Sequence, residues 1–206
     1  EKLKQLGMGA ILHDVGKTKV PQEILAKPDV LSNEEYEAVK LHTNYGYDIL
    51  SESDEFSIYS KYIALTHHER VDGSGYPLGL KGDEIHEFSK IVSIADVYDA
   101  LTSDRVYRKS VRISDAVDYL IGMSNHMFDH KFVKSFLEQI TVYSIGTIVS
   151  LNTGEKAIVV DINKDIRNRP VVRVIEDSAG NILDSFFEID LTKTNSVFIT
   201  DTIEDY

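Results

Sequence analysis

Histidine and aspartate side chains recur through the first half of this 206-residue chain, and five of its seven histidines lie between residues 13 and 86. Any one of them alone is more often a surface or helix-capping residue than a metal ligand. As a set, neutral imidazoles combined with carboxylates suit iron, manganese or zinc rather than calcium. The candidate metal ligands are His13, Asp14, His42, His67, His68 and Asp96.

Asp96 stands in a largely apolar stretch, Val92–Leu101, whose pattern predicts a helix. A buried aspartate is costly unless it is paired or bound to a metal ion. Asp99 follows three residues later and therefore shares a helix face with Asp96. The alternative interpretation is that both carboxylates face solvent and pair with Arg105 or Lys109.

Helices must bring these residues together. The spacing of Ser32 and Glu35 is that of a capping box and predicts a helix from about Asn33 to Leu50. Four successive helices then present histidine or aspartate at a comparable level, which is how a bundle assembles an internal metal site.

An aspartate beside a histidine ligand can bridge two ions about 3.5–4 Å apart, the spacing used for in-line displacement at phosphorus. The predicted helices are a segment ending near Asp14–Gly16, then about 33–50, 54–68, 88–102, 114–124 and 130–140, with a glycine-rich loop at 72–82.

The character of the chain changes near Ile140. Valine, isoleucine and threonine dominate the remainder, in short runs separated by Asn152–Gly154 and Ser178–Asn181, which is typical of strands and hairpins. We therefore predict a mainly α chain, with a helical bundle at about 1–140 followed by a small β domain at about 141–206.

Composition narrows the function classes. A net charge of −12 argues against broad binding of DNA or RNA, whose affinity comes largely from lysine and arginine. No apolar stretch is long enough to span a membrane, and the first residues do not resemble a signal peptide. The absence of cysteine excludes disulfides and thiolate metal sites. These features favour a cytoplasmic protein.

Three sequence blocks carry a resemblance to one family. They are HDVGK at 13–17, HHERVDGSGYP at 67–77 and ADVYDALTSDR at 95–105. In this order and spacing they resemble the HD-GYP family, bacterial phosphodiesterases that hydrolyse cyclic di-GMP and form a branch of the HD-domain metallohydrolases. The resemblance covers roughly residues 7–140, and the part after 140 weakly resembles the β-rich tail found behind some HD-GYP domains.

The resemblance implies a role for each matched residue. The six candidate ligands correspond to the family's metal ligands, with Asp14 as the bridge between two ions. Iron is the first choice of metal, with manganese or zinc as alternatives. Lys17 corresponds to a lysine that contacts the scissile phosphate or assists the leaving oxygen, although a lysine at a helix end is also favoured by the helix dipole.

Three further residues correspond to substrate contacts. Tyr76 matches the tyrosine of the GYP loop, and Arg105 and Arg108 match basic residues that reach a phosphate or a guanine. The arginines could instead form an ordinary solvated basic turn.

Two departures from the family pattern stand out. A further histidine ligand, often with a glutamate, lies well upstream in the family, whereas only twelve residues precede His13 and none is a histidine. We expect that part of the domain to lie outside this chain. Asp99 stands where members proposed to hold a third metal tend to carry glutamate, which favours two metal ions over three.

The expected function is metal-dependent hydrolysis of cyclic di-GMP to linear pGpG, with further cleavage to GMP left open. The alternatives are a hydrolase of another cyclic dinucleotide, such as cyclic GMP-AMP, and a catalytically silent receptor or docking module. The resemblance also implies GGDEF-domain proteins as partners of the GYP loop, and it leaves open a sensor or receiver domain upstream. A plain HD-domain nucleotidase is disfavoured by the complete Gly75-Tyr76-Pro77 loop.

Overall fold

The computed structural model describes residues 1–103, 110–140, 142–164 and 166–203. The chain divides into two compact units, Glu1–Phe136 and Leu137–Tyr206. The first unit is helical and the second is an antiparallel sheet, so the predicted fold class is confirmed. Within the described residues, no helix is both long and apolar enough to cross a membrane.

The helical unit contains the predicted helices in the predicted order, most of them shorter than predicted, and one short additional helix, α2. The helices are α1 Lys2–Leu12, α2 Gln22–Leu25, α3 Asn33–Lys40, α4 His42–Ser51, α5 Ile58–Thr66, α6 Glu87–Thr102, α7 Ile113–Gly122 and α8 His130–Leu137, with 3₁₀ turns at Val15–Lys19 and Gly82–Glu84. The capping box is confirmed, because Ser32 Oγ accepts the Glu35 N–H and the Glu35 carboxylate accepts the Ser32 N–H at 2.7 Å.

The prediction of one continuous helix from Asn33 to Leu50 is wrong. The helix is interrupted at Leu41, where α3 ends and α4 begins. The His42 ring lies 2.7 Å from the carbonyl oxygen of Val39, and the Thr43 hydroxyl donates to that of Lys40 at 2.9 Å. Two side chains at the start of α4 thus bond to carbonyls of the last turn of α3, and such side-chain bonds compete with the regular helix pattern at the break.

Helix α1 packs along α5 through a small apolar core. Ile63 of α5 is fully buried and contacts Phe88 and Val92 of α6, and Leu6 and Ala10 of α1 cover this cluster. The contact ties together the ends of α1 and α5, which carry His13 and His67.

Glycine permits a second close approach, between the 3₁₀ turn and α4. A Cβ atom on Gly16 would collide with the backbone of His42 and Gly46. The turn that carries Asp14 can therefore lie directly on the start of α4, and the glycine of the HDVGK block has a steric reason to be there.

The second unit is a five-stranded antiparallel sheet with the strand order β4-β3-β2-β1-β5. The strands are β1 Ile148–Leu151, β2 Lys156–Asp161, β3 Val171–Glu176, β4 Ile182–Asp190 and β5 Ile199–Ile203. Both predicted hairpin turns are confirmed: Gly154 and Gly180 adopt φ angles of 97° and 89° between β1 and β2 and between β3 and β4.

Candidate metal centre

The Asp14 carboxylate is the centre of a compact cluster of polar side chains. Its Oδ1 atom lies 3.4 Å from Nε2 of His42 and 3.7 Å from Nε2 of His67. The two Nε2 atoms are themselves 3.4 Å apart. With His68, these residues each offer a ligand atom within 4.8 Å of one another.

His13 and Asp96 extend the cluster on the other side of Asp14. The Nε2 atom of His13 lies 3.4 Å from Oδ2 of Asp14 and 3.7 Å from Oδ1 of Asp96. The His13 and His67 rings are 4.9 Å apart. All six side chains predicted as metal ligands therefore meet in one region, although their binding of a metal stays a prediction.

The backbone positions these side chains at or near helix ends. His13 follows α1, His42 opens α4, and His67 and His68 follow α5, while Asp96 projects from within α6. Helix ends leave carbonyl groups without a backbone N–H partner. The rings of His13, His42 and His67 lie against carbonyl groups in the last turns of the preceding helices.

Three of the histidines are oriented in this way through Nδ1. In His13 and His42, Nδ1 lies 2.7 Å from the carbonyl oxygen three residues earlier. In His67 it lies 3.1 Å from two carbonyl oxygens of the last turn of α5. Because a carbonyl can only accept, each Nδ1 carries a proton, and Nε2, the atom that would bind a metal ion, faces the cluster.

Burial keeps two of the imidazoles neutral. It lowers the pKa of His42, because a charged ring is costly away from water. It also lowers the pKa of His68, to about 2, and the neighbouring His67 contributes to that shift. Neutral imidazole is the form that binds a metal ion.

In His13 and Asp14, unlike in His42 and His68, neighbouring charged groups outweigh the effect of burial on the pKa. Burial alone would lower the pKa of His13, but the facing carboxylates of Asp14 and Asp96 raise it to about 10. Burial alone would raise the pKa of Asp14, but its contacts with His13, His67 and Lys17 hold it far below its ordinary value. The carboxylates of Asp14 and Asp96 thus stabilise the protonated, positively charged His13 ring that lies between them. A divalent cation bound there would take the place of the His13 proton.

The donor set fits a metal ion on a further observation. Nε2 of His13 and Oδ1 of Asp14 are buried, and neither has a hydrogen-bond partner among the described residues. Buried polar atoms are normally satisfied, so an unpaired ring nitrogen and an unpaired carboxylate oxygen in one cluster fit a site that holds a cation.

Family comparison agrees with this geometry. The family model for the HD domain matches residues 1–132 of the chain. The chain belongs to the HD domain family. Residues 148–206 match the model described as a KOW domain associated with the HD domain.

The chain is also similar to bacterial phosphodiesterases that act on cyclic dinucleotides. The chain is 34% identical over 180 residues to a cyclic di-GMP phosphodiesterase of Pseudomonas aeruginosa, which covers 87% of this chain and 43% of that protein. It is 41% identical over 128 residues to a 3′3′-cGAMP-specific phosphodiesterase of Vibrio cholerae, covering 62% of this chain and 24% of that protein. The chain thus spans less than half the length of either relative.

A solved structure shares the fold. An HD-GYP-type protein from Bdellovibrio bacteriovorus superposes with a TM-score of 0.52 at 24% identity, covering 64% of this chain and 42% of that one. Together with the family match, these similarities confirm the HD-GYP resemblance stated from the three sequence blocks.

Two residues predicted to act on the substrate border the cluster. Lys17 Nζ pairs with Oδ2 of Asp14 from the 3₁₀ turn. The Tyr76 ring stacks on His68 with centroids 4.8 Å apart and lies 6.5 Å from the His42 ring. Burial raises the pKa of Tyr76, so its hydroxyl remains protonated.

Arg105 and Arg108 lie outside the described residues. Asp99 is exposed on α6, where it accepts a hydrogen bond from the Ser103 hydroxyl at 3.0 Å.

Glu69, which the sequence did not single out, holds the glycine-rich loop in place. It is only 2% exposed, and its two carboxylate oxygens accept the backbone N–H groups of Leu78 at 2.7 Å and Leu80 at 2.9 Å. A Cβ atom on Gly75 would collide with the Glu69 backbone, so the loop folds back directly over this residue. Glu69 therefore holds the loop that places Tyr76 on His68. An acidic residue directly between a histidine pair and a glycine-rich loop was the available signal.

Arg70 was also missed. Its guanidinium donates to the Ser93 hydroxyl of α6 and lies 5.3 Å from the centre of the Phe128 ring. Burial lowers its pKa from the ordinary arginine value. Arg70 thus braces the start of the loop against α6.

Proposed function

We propose that this chain is the catalytic HD domain of a metal-dependent phosphodiesterase that hydrolyses cyclic di-GMP to linear pGpG. The observation that carries the proposal is the convergence of three histidine Nε2 atoms on the two oxygens of the Asp14 carboxylate. Iron as the resident metal, and GGDEF-domain proteins as partners of the loop at 72–77, belong to the same proposal.

The two oxygens of Asp14 face different ligand groups. Oδ1 faces His42 and His67, whereas Oδ2 faces His13 and Lys17. A carboxylate divided in this way supports a bridging role between two ions. The ions would be held by His13, Asp14, His42, His67, His68 and Asp96. When bound, such ions lower the pKa of water and stabilise charge on phosphoryl oxygens.

Lys17 supplies a cation beside the bridging carboxylate. It sits three residues after Asp14 and its ammonium group already pairs with Oδ2. Side-chain exposure of 37% leaves the ammonium accessible from solvent. We infer that it donates to a phosphate oxygen of the bound diester and so offsets the charge that develops during displacement.

The substrate class rests on the relatives' names. The Pseudomonas aeruginosa relative is a cyclic di-GMP phosphodiesterase, and the alignment with it covers 87% of this chain. The Vibrio cholerae relative acts on 3′3′-cGAMP and shares 41% identity. Cyclic GMP-AMP is therefore the second candidate substrate.

The test is steady-state hydrolysis of cyclic di-GMP by protein loaded with manganese or iron. Asp14→Ala should lower turnover by several orders of magnitude, because it removes the carboxylate shared by both ligand groups. Asp115→Asn is the matched control: it changes an exposed aspartate of α7 that pairs with Arg112 at 3.1 Å, and turnover should not change. Tyr76→Phe removes one hydroxyl, worth about 0.5–1.5 kcal/mol, so we expect about a tenfold loss or less, mainly in affinity.

The outcomes separate the alternatives. Binding of cyclic di-GMP without turnover would identify a receptor rather than an enzyme. Faster turnover of 3′3′-cGAMP would move the substrate assignment to the mixed dinucleotide. If the protein neither binds nor cleaves any cyclic dinucleotide, the proposed substrate class is wrong, and only the proposal of a metal centre remains.

A further inference from the structure

The last two turns of α3 carry a tyrosine and a lysine whose arrangement the metal centre does not explain. Tyr36 and Lys40 are four residues apart and share a helix face. Lys40 Nζ lies 4.8 Å from the centre of the Tyr36 ring and 5.4 Å from the centre of the Tyr76 ring. Tyr76 in turn stacks on His68, so this group, which we call the α3 platform (Tyr36, Lys40 and Tyr76), adjoins the histidine cluster.

The aromatic surface of the platform is available to a ligand. The Tyr36 residue is 48% exposed despite its large apolar ring, and the Lys40 side chain is 27% exposed. Aromatic rings in nucleic-acid-binding proteins stack on bases, because every base has a π face. A lysine ammonium donates to O6 and N7 of guanine, whereas adenine presents an amino donor at the equivalent position.

An ordinary surface role would explain only part of this arrangement. Lys40 also pairs with Glu37 at 2.6 Å, an i,i+3 contact of the kind that contributes little on an exposed helix. That pair does not require the lysine to lie between two tyrosine rings, nor one of those rings to rest on a candidate metal ligand. A ligand that combines a flat base with a phosphate at the cluster would use all of these features.

We propose that Tyr36 and Lys40 form a guanine-binding subsite beside the metal centre. The Tyr36 ring stacks on one base of the dinucleotide. Lys40 breaks its ion pair with Glu37 and donates hydrogen bonds to O6 and N7 of that base. The inference rests on the proposed function, because the phosphodiester must lie at the cluster for a base to reach α3.

The test compares Tyr36→Ala and Lys40→Met with the unmutated protein, by steady-state kinetics and by calorimetric Kd values for cyclic di-GMP and cyclic di-AMP. Tyr36→Ala should raise KM for cyclic di-GMP about tenfold, because stacking contributes to binding whatever the base. Lys40→Met should raise the Kd of cyclic di-GMP about tenfold and leave that of cyclic di-AMP unchanged. Both variants should keep kcat within about twofold, since neither residue touches the reacting atoms.

Two matched controls address general damage. Tyr62→Ala removes a 43% exposed tyrosine of α5 that packs edge-to-face on Tyr47. Lys131→Met removes a lysine that lies 5.8 Å over the Phe132 ring of α8. Neither should change KM or the preference for guanine.

If the unmutated protein cleaves cyclic di-GMP and both α3 variants match it in KM and Kd, the subsite is wrong and the proposed function stands. If the protein binds without cleaving, the enzymatic function fails, and weaker binding by Tyr36→Ala would still support the subsite. If it neither binds nor cleaves, both proposals fail together.

Discussion

The two units of this chain fill their interiors differently. The helical unit buries polar side chains, among them His42, His67, Glu69 and Lys90. The sheet unit buries alternate aliphatic residues along its strands, such as Val159, Val172 and Val174, which are at most 1% exposed.

The difference shows where each unit obtains its stability. Burying aliphatic side chains stabilises the sheet directly. Buried histidines and carboxylates cost free energy unless each finds a partner. Within the described residues, His13 Nε2 and Asp14 Oδ1 of the helical unit have no hydrogen bond, and neither do Glu155 Oε2 and Arg167 Nε of the sheet unit. Of these two pairs, only the first lies in a cluster of candidate metal ligands, so we expect a bound cation to stabilise the helical unit rather than the sheet.

Metal removal should therefore separate the two units. A metal present at 1,000 times its dissociation constant stabilises a fold by about 4 kcal/mol. For a unit of this size, chelation should lower the melting temperature by roughly 10 °C. Hydrogen exchange measured by peptide should show faster exchange in α1, α4 and α5 after chelation, with β2 and β3 unchanged.

The control for chelation is Asp14→Ala, in which the chelator should have little left to remove. Equal acceleration of exchange in both units would contradict the comparison, because the metal would then stabilise the chain as a whole. No change in either unit would show that the cluster is peripheral to the fold.

A smaller effect is expected from the carboxylate that holds the loop. Glu69→Gln keeps the side-chain size but replaces one acceptor oxygen with an amino group, so one of the Leu78 and Leu80 N–H groups loses its partner. An unpaired buried donor costs about 1–3 kcal/mol, and these part-buried donors should lie at the lower end of that range. We expect KM for the dinucleotide to rise about tenfold as Tyr76 loses its fixed position, and exchange at residues 72–81 to accelerate.

Glu87→Gln is the matched control for this change. Glu87 has a half-exposed side chain and pairs with Lys2 at 3.6 Å, so its substitution should leave KM unaltered. An unchanged KM in Glu69→Gln, despite faster exchange in the loop, would show that loop position does not govern substrate binding.

The sequence identified the side chains that meet at the candidate metal centre because its signals are local and chemical; their binding of a metal stays a prediction. Histidine and aspartate at the ends of predicted helices are visible as residue types, and the Ser32–Glu35 capping box follows from spacing alone. The break at Leu41 was not predictable in the same way, because it depends on side-chain hydrogen bonds to carbonyls of the preceding turn.

Longer-range contacts explain what else was missed. Glu69 reads as an ordinary charged residue until the loop folds back and presents two N–H groups to it. The α3 platform exists only because Tyr76, forty residues after Tyr36, returns to the end of α3. Such approaches are set by tertiary packing, which no local pattern encodes.

The smallest effect on activity should come from the sheet core. Val174 is fully buried in β3, with Ala157 and Phe187 opposite it on the neighbouring strands. Val174→Ala deletes two methyl groups and should destabilise the sheet by about 2 kcal/mol, combining lost burial with a small cavity. Turnover at 25 °C should stay within about twofold, because the cluster contacts described above are all made between residues 13 and 96. Exchange in β2 and β3 and steady-state kinetics measure the two effects separately. The reciprocal change, Ile63→Val in the helical core, should speed exchange in α1 and α5 and leave the sheet alone. If Val174→Ala lowers turnover while hydrogen exchange in α1 and α5 stays as slow as before, the sheet contributes to catalysis. The assignment of catalysis to the helical unit alone would then be wrong.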